Sequence, residues 1–573
     1  MTRQVCESVV IGCAVCLLLC CGIVEGSVRQ VPGEYPTIQA ALDASASGDT
    51  VRVAPGPYYE AVRFPAADVR LWGEFVFTGD SADLQSTIID ASPFAGQDTA
   101  ACLTFIHPNS PAAEVAGFVL RGGTGVSESG VYGRGGGVFM QNASPTLRSN
   151  IITQNTAYAA AISSEIGEPR VLHCSIYDNY CVAGALCLFT EYIAPVWRFA
   201  FDWNELGDNP GDGGPFIALY RVSGTFNHNR FRLPQTPVTL VVQILDSFRD
   251  SMEFCGNVFE DIHTDPNFSV PFVAFDESVH LIQDNVFRDC TLNFFALDLA
   301  RARFRPRQTI RRNLFQNIRC ESQLGSGIFI QSPNALIEDN VFENCAGGAQ
   351  GALWATADAD SGFNLLIQHN RFIGNRISLV NYTGIVHIYP YSRRPDRLPV
   401  LVNNWFEGNG PIAVGQDNPS VIWDASGNYW GDSTGPYHPT ENPNGRGDTA
   451  AFNVHVTPWL TEPPQSGIDS EPSWAGIPEK WELLPVHPNP FNATLTVRIE
   501  AATTVPLQVT IFDIQGRRVK DLWRGMIPTN GEVTLKWDGG TEYGAAASGV
   551  YFVMATSKGR HPTAQTRKAV LLR

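Results

Sequence analysis

Along most of the chain, apolar and polar residues alternate in short runs that end at Gly, Asn, Asp or Pro, as in "ALIEDNVFEN" (Ala335–Asn344). An amphipathic helix would instead place apolar residues at i, i+3, i+4 and i+7. A period of two predicts strands, and strands this short cannot bury a face on their own. The runs also repeat. "CGNVFEDI" from Cys255, "IQDNVFRDC" from Ile282, "IRRNLFQNI" from Ile310, "IEDNVFENC" from Ile337 and "IQHNRFIGN" from Ile367 are versions of one another. The repeat marks are Asn150, a degenerate Cys174, Asn204, Asn229, Asn257, Asn285, Asn313, Asn340, Asn370, Asn404 and Asn428, at intervals of 24 to 34 residues. Such a period predicts stacked units that bury their apolar faces against one another. Several short strands per unit fit one coil of a parallel β-helix, giving roughly a dozen coils in all.

Within this pattern the Asn is expected at the bend between strands, because Asn tolerates the left-handed conformation. The residue two positions on is Phe231, Phe259, Phe287, Phe315, Phe342, Phe372 or Phe406. It should point inward, and with coils about 4.8 Å apart the rings should form one internal column. Both ends of such a stack need covers. "YPTIQAALDASASGDTVRV" predicts a short capping helix with Ile38 and Leu42 on one face, then a turn and a strand. The aromatic, turn-rich segment Gly427–Leu460 predicts a closing coil.

"VPGEYPTIQAALDASASGDTVRVAPGPYYE", "GRGGGVFMQNASPTLRSNIITQNTA" and "GNYWGDSTGP" followed by "PWL" resemble bacterial right-handed parallel β-helix proteins of the pectin-lyase-like class. The resemblance implies that fold over residues 27–460 and leaves the activity open, since the fold hosts many. Residues 461–480 are rich in Pro, Ser and Glu and read as a linker. Composition then shifts: the first lysine of the chain is Lys480. Beyond it, "TLTVRIEA", "LQVTIFDI", "EVTLKW", "GVYFVMAT" and "KAVLLR" predict a small β-sandwich at 481–573. "HPNPFN", "IFDIQGRRV", "ASGVYF" and the terminal "KAVLLR" resemble the C-terminal sorting domain of the type IX secretion system, and are similar to the flagellar-hook-cap Ig-like module. That implies contact with outer-membrane secretion machinery and a place outside, or on the outer surface of, a Gram-negative cell.

The start of the chain agrees with export. Arg3, the apolar run "VVIGCAVCLLLCCGIV" and the small residues of "VEGS" read as a signal peptide over 1–26, leaving no transmembrane anchor after cleavage. A formal net charge of −17 disfavours nucleic acid and anionic membranes as partners. Eight cysteines follow the leader without a CxxC pair, so a zinc site is not expected. Cys290 and Cys345 follow their Asn by five residues and read as small inward residues of the stack.

Candidate chemistry is sparse. The coils contain no lysine, which excludes a Lys-based lyase. Aligning "VVQILDSF", "PFVAFDES" and "NFFALDLA" puts Asp246, Asp276 and Asp298 directly after a large apolar residue in three successive coils. Alternation would turn all three outward as a carboxylate column, a catalytic candidate at separations of about 5 to 10 Å. Tyr220, Trp354 and His387 fall alongside as candidate sugar contacts. Asp202, Glu205, Asp208 and Asp212 in "DWNELGDNPGDGG" form a candidate calcium loop whose spacing is not that of an EF-hand. Two functions follow. One is a non-catalytic platform binding a polysaccharide or another ligand along the coils. The other is a glycoside hydrolase or lyase using the Asp column.

Overall fold

The structure is a computed structural model. It describes residues 26–573 apart from 98, 127–132, 182–185, 191–197, 210–215, 222, 234–240, 246–251, 265–271, 276–278, 300–306, 323, 332–333, 349–350, 358–362, 379–383, 391–397, 465–480, 485, 502–504, 514–516, 528–530, 542–545, 558–563 and 573. The expected signal peptide, save Gly26, and all but the first four residues of the expected linker lie outside the described residues.

Among the described residues the alternating runs form three long parallel sheets, of 14, 13 and 13 strands. The first runs from Val28–Val31 to Val400–Val402, the second from Gly56–Tyr58 to Trp405–Glu407, and the third from Val62–Arg63 to Val414–Gln416. The chain visits the sheets in turn, so each coil adds one strand to each sheet: a parallel β-helix. One continuous apolar core runs between the sheets.

The Phe column forms as expected. Phe231, Phe259, Phe287, Phe315, Phe342, Phe372 and Phe406 are fully buried. Neighbouring centroids along it lie 4.7 to 5.1 Å apart and the rings are nearly parallel. Trp430 closes the column at 5.0 Å from Phe406. The Asn residues act differently from the expectation. Positive φ falls on the residue before each repeat mark, at Ser149, His173 (before Cys174), Trp203, His228, Gly256, Asp284, Arg312, Asp339, His369, Asn403 and Gly427, with values from 52° to 70°. The Asn itself points inward and is buried. Asn285, for example, donates its backbone N–H and its Nδ2 to Oδ1 of Asn313, at 3.0 and 2.9 Å, and Nδ2 also donates to the Phe254 carbonyl. The same rung recurs from Asn204 to Asn428. The corner uses Asn because a bend leaves backbone groups without sheet partners inside the core, and a primary amide can both donate to them and accept from them.

The capping helix spans Ile38–Asp43 and buries Ile38, Ala41 and Leu42. The Thr37 side chain accepts from the Ala40 N–H, and the Glu60 carboxylate accepts from the N–H groups of Ile38 and Gln39. All four N-terminal donors of so short a helix matter, and three are thereby satisfied. At the other end, fully buried Trp423 and Trp430 fill the closing coil. The C-terminal segment is a β-sandwich. One antiparallel sheet holds Trp481–Leu483, Leu495–Ala501 and Gly531–Trp537, and the other holds Val505–Asp513, Arg518–Ile527, Gly549–Ser557 and Ala564–Leu571. Trp537, Val497, Ile511 and Val553 lie in its separate core. The eight described cysteines are unpaired, and burial pushes the thiols of Cys290 and Cys345 up to about 12.

Candidate functional site

The three sheets differ in what flanks them. Two residues separate the first sheet from the second at each corner from Ala116–Val119 to Val402–Trp405. The return from the third sheet to the first varies from two residues, between Tyr220 and Ser223, to nine, between Pro390 and Val400. Variable connections on a constant scaffold are where binding residues collect. That directs attention to the third sheet.

Its outward residues stack in register. Gln243, Ala274, Asp298, Phe329, Trp354, His387 and Gly415 occupy one row, each opposite the next. Asp298, Trp354 and His387, three of the residues singled out in the sequence, therefore share a line. The coil spacing puts Trp354 about 10 Å and His387 about 14 Å from Asp298 along it. Phe329 lies between Asp298 and Trp354. Its ring sits 4.7 Å from the Trp354 ring and 5.6 Å from Phe295, which is itself 5.9 Å from Trp354. Phe329 and Trp354 are half-buried, whereas Asp298 and His387 are 8% and 1% exposed. His387 Nε2 is 3.1 Å from Asp417 Oδ2, which orients the ring. Among the described residues, His387 Nδ1 and Trp354 Nε1 are buried without a hydrogen-bond partner.

At Asp298, the described member of the expected carboxylate column, the register differs from the alignment. Asp298 sits in register with Ala274, two positions before Asp276, and Ala274 faces Gln243. Asp246 and Asp276 lie outside the described residues. The offset of two at Asp276 preserves alternation, so alternation alone could not detect it, whereas Asp246 follows Gln243 by three positions, an odd offset that alternation does not preserve. Tyr220 is on the next outward row, opposite Leu245, and its hydroxyl donates to Gln243 Oε1 at 3.3 Å.

The candidate calcium loop is also dispersed. Asp202 ends a strand of the first sheet, and Glu205 is exposed on the second sheet opposite Ser175 and Arg230. Asp208 lies past that strand, where its carbonyl accepts from the Asp178 N–H. Asp212 is outside the described residues. The corner at Asn204 turns Asp202 and Glu205 onto different faces, and no group of three or more His, Cys, Asp or Glu among the described residues could hold a metal ion. Asp202 instead accepts from the Thr225 hydroxyl at 2.6 Å and the Asn227 N–H at 2.7 Å. Burial raises its pKa, and Glu253 adds to the rise against those two hydrogen bonds.

Sequence reading missed Phe295, Phe329 and Asp417. Phe329 had a signal: "GIFI" is the coil counterpart of "GALWA" and "GIVHI". Asp417 had none, being 30 residues from the histidine it meets.

Comparison with known proteins bears on the tail. Residues 485–570 match the family model of the secretion system C-terminal sorting domain. A protein so tagged is exported by type IX machinery to the cell surface or the extracellular space. Among the described residues no helix is long and apolar enough to cross a membrane. No curated protein matches the chain. Among solved structures, dimeric latent PorU from Porphyromonas gingivalis is 23% identical over 16% of this chain and 9% of its own, with a TM-score of 0.15. The match spans less than a tenth of that chain's length, and at that score it bears on neither fold nor function.

Proposed function

We propose that this exported β-helix is a non-catalytic carbohydrate-binding platform, with the outward row of the third sheet as its contact surface. The observation that carries the proposal is the Phe329–Trp354 pair, half-buried at adjacent coil positions with Asp298 on one side and His387 on the other. Adjacent half-buried rings on a repeating scaffold leave aromatic surface at the spacing of the coils, flanked by the buried Asp298 and His387. The hydrolase or lyase reading is the weaker one. Hydrolysis by paired carboxylates needs a second acid at roughly 5 to 9.5 Å, and among the described residues the row neighbours of Asp298 are Ala274 and Phe329, neither of them an acid.

The test uses the purified full chain with neutral and acidic polysaccharides, following binding by affinity electrophoresis and turnover by reducing ends and unsaturated uronate absorbance. Retarded migration without sugar release, abolished in Trp354→Ala, is the expected result. Sugar release that depends on Asp298 would replace the platform with an enzyme. Retardation unchanged in both Trp354→Ala and Phe329→Ala would remove the third-sheet row as the contact surface.

A further inference from the structure

The first sheet carries a second feature, independent of the aromatic row. On its outer face Arg170, Ala200, Thr225 and Glu253 stand opposite one another in four consecutive strands. Three strand spacings put the two charged ends about 14 Å apart at their Cα atoms, too far for a direct ion pair. The residues between them are small. Gly224 sits at φ +128°, and a Cβ there would meet the Phe199 carbonyl oxygen at 2.0 Å, so glycine is required at that position. The result is a trough of about 440 Å3. Arg198 flanks Arg170 at one end, and Asp202 lies in the wall beside Thr225. Among the described residues, no side chain pairs with the guanidinium of Arg170 or Arg198, or with the carboxylate of Glu253, and all three are exposed. Elsewhere on the coils arginines find carboxylates readily: Arg148 meets Glu114, Arg288 meets Glu260, and Arg312 meets Asp284. Here opposite charges are held apart by a channel of small residues.

We propose that this trough binds a short peptide through its two free termini, the carboxylate at Arg170 and Arg198 and the ammonium at Glu253. An extended residue spans about 3.3 Å, so a tripeptide bridges the interval between the charged side chains. A planar guanidinium pair suits a carboxylate, and an ammonium suits an acceptor-only carboxylate. Asp202, which also lines the trough, offers a further acceptor. An acidic sugar would satisfy the arginines alone and leave Glu253 covered without a counter-charge, which is costly.

Calorimetric titration of the full chain with triglycine at low salt tests this, beside N-acetyl-triglycine and triglycine amide. Saturable one-to-one binding of triglycine is expected. Glu253→Gln should weaken triglycine about tenfold and leave N-acetyl-triglycine unchanged, the loss of one charge-assisted contact. Arg198→Gln should weaken triglycine similarly and leave triglycine amide unchanged. Both side chains are exposed, and circular dichroism verifies that the variants fold. Absence of saturable heat with triglycine, or affinity unmoved by both substitutions, overturns the proposal. Binding of an oligouronate that Arg198→Gln abolishes and Glu253→Gln leaves intact overturns it in favour of an acidic sugar.

Discussion

The corner between the first and second sheets and the row on the third sheet belong to the same coils, yet they follow different rules. At the corner, two residues turn the chain every time, one of them at positive φ, and from Asn204 onward the other is an inward Asn bonded to the Asn of the next coil. On the third sheet, residue type changes at each step, from Ala274 to Asp298, Phe329, Trp354 and His387. A corner must satisfy buried backbone groups, and few side chains can do that. An outward row faces no such demand, so its residues are free to serve recognition. The constant edge is thus tied to burial, and the variable edge is the one on which the proposed contact surface lies.

Substitutions at the constant edge should be the most damaging. Phe315→Ala removes a ring stacked on both Phe287 and Phe342, and should cost about 4 kcal/mol in urea unfolding. Asn313→Ala strips the acceptor from the Asn285 backbone and side chain and deletes the donor to Asn340, at about 3 kcal/mol. If Asn313→Ala cost no more than an exposed substitution, the corner would not be the source of stability argued here.

A second Asn column sharpens the same point. It runs through Cys345, Asn375 and Asn409, and ends at Asp448, whose Oδ2 accepts from the Asn409 N–H and Nδ2. Burial pushes the Asp448 carboxyl up to about 6, against the hydrogen bonds from Asn409 and Gly408. A pKa raised on folding means the folded state holds the proton more tightly. The stabilisation is complete below the unfolded value near 4 and is lost as pH rises through about 6, to a total of about 3 kcal/mol. Asp448→Asn should remove this dependence and leave the variant more stable than the parent at pH 8, by about 2 kcal/mol. Urea unfolding of both proteins at pH 5 and pH 8 measures it. An equal pH response in the two would show that charge at the column's end is immaterial.

On the variable edge the ordering of effects should invert. Trp354 is half-buried at a row position, so Trp354→Ala should cost about 1 kcal/mol of stability. Its effect on polysaccharide binding should exceed tenfold, since an aromatic platform residue carries much of such a contact. Loss of stability comparable to that of Phe315→Ala would make Trp354 a core residue and close the comparison.

What could be read from the chain follows the same division. The Phe column, the capping helix with Ile38 and Leu42, and the C-terminal strands were legible because each answers a burial demand that leaves a periodic trace. The second Asn column was not, because Ile262, Cys290, Ile318 and Cys345 interrupt it between Asn209 and Asn375. Placement of positive φ was missed for a physical reason: the strained residue varies freely, from His369 to Arg312, while the invariant neighbour draws the eye. The register at Asp298 was not legible because connections of unequal length leave the third sheet without punctuation. Trp354 and His387 were paired correctly because "GALWA" and "GIVHI" each begin at a glycine, a local mark that "VVQILDSF" lacks.

The mildest perturbation separates the edges most cleanly. Lengthening the nine-residue connection between Pro390 and Val400 by four Gly/Ser residues changes only loop closure, at about 0.3 kcal/mol. One residue inserted between Gln283 and Val286 acts on the two-residue corner instead. It must either expel Asn285 from the ladder or turn the following strand over, and that strand carries Phe287 into the core. The longer insertion should therefore leave the urea midpoint unchanged, while the shorter one abolishes cooperative unfolding. Equal tolerance of the two would mean that coil stacking, rather than the corner, sets the register, and the Asn ladder would then be a consequence of the fold instead of its clamp.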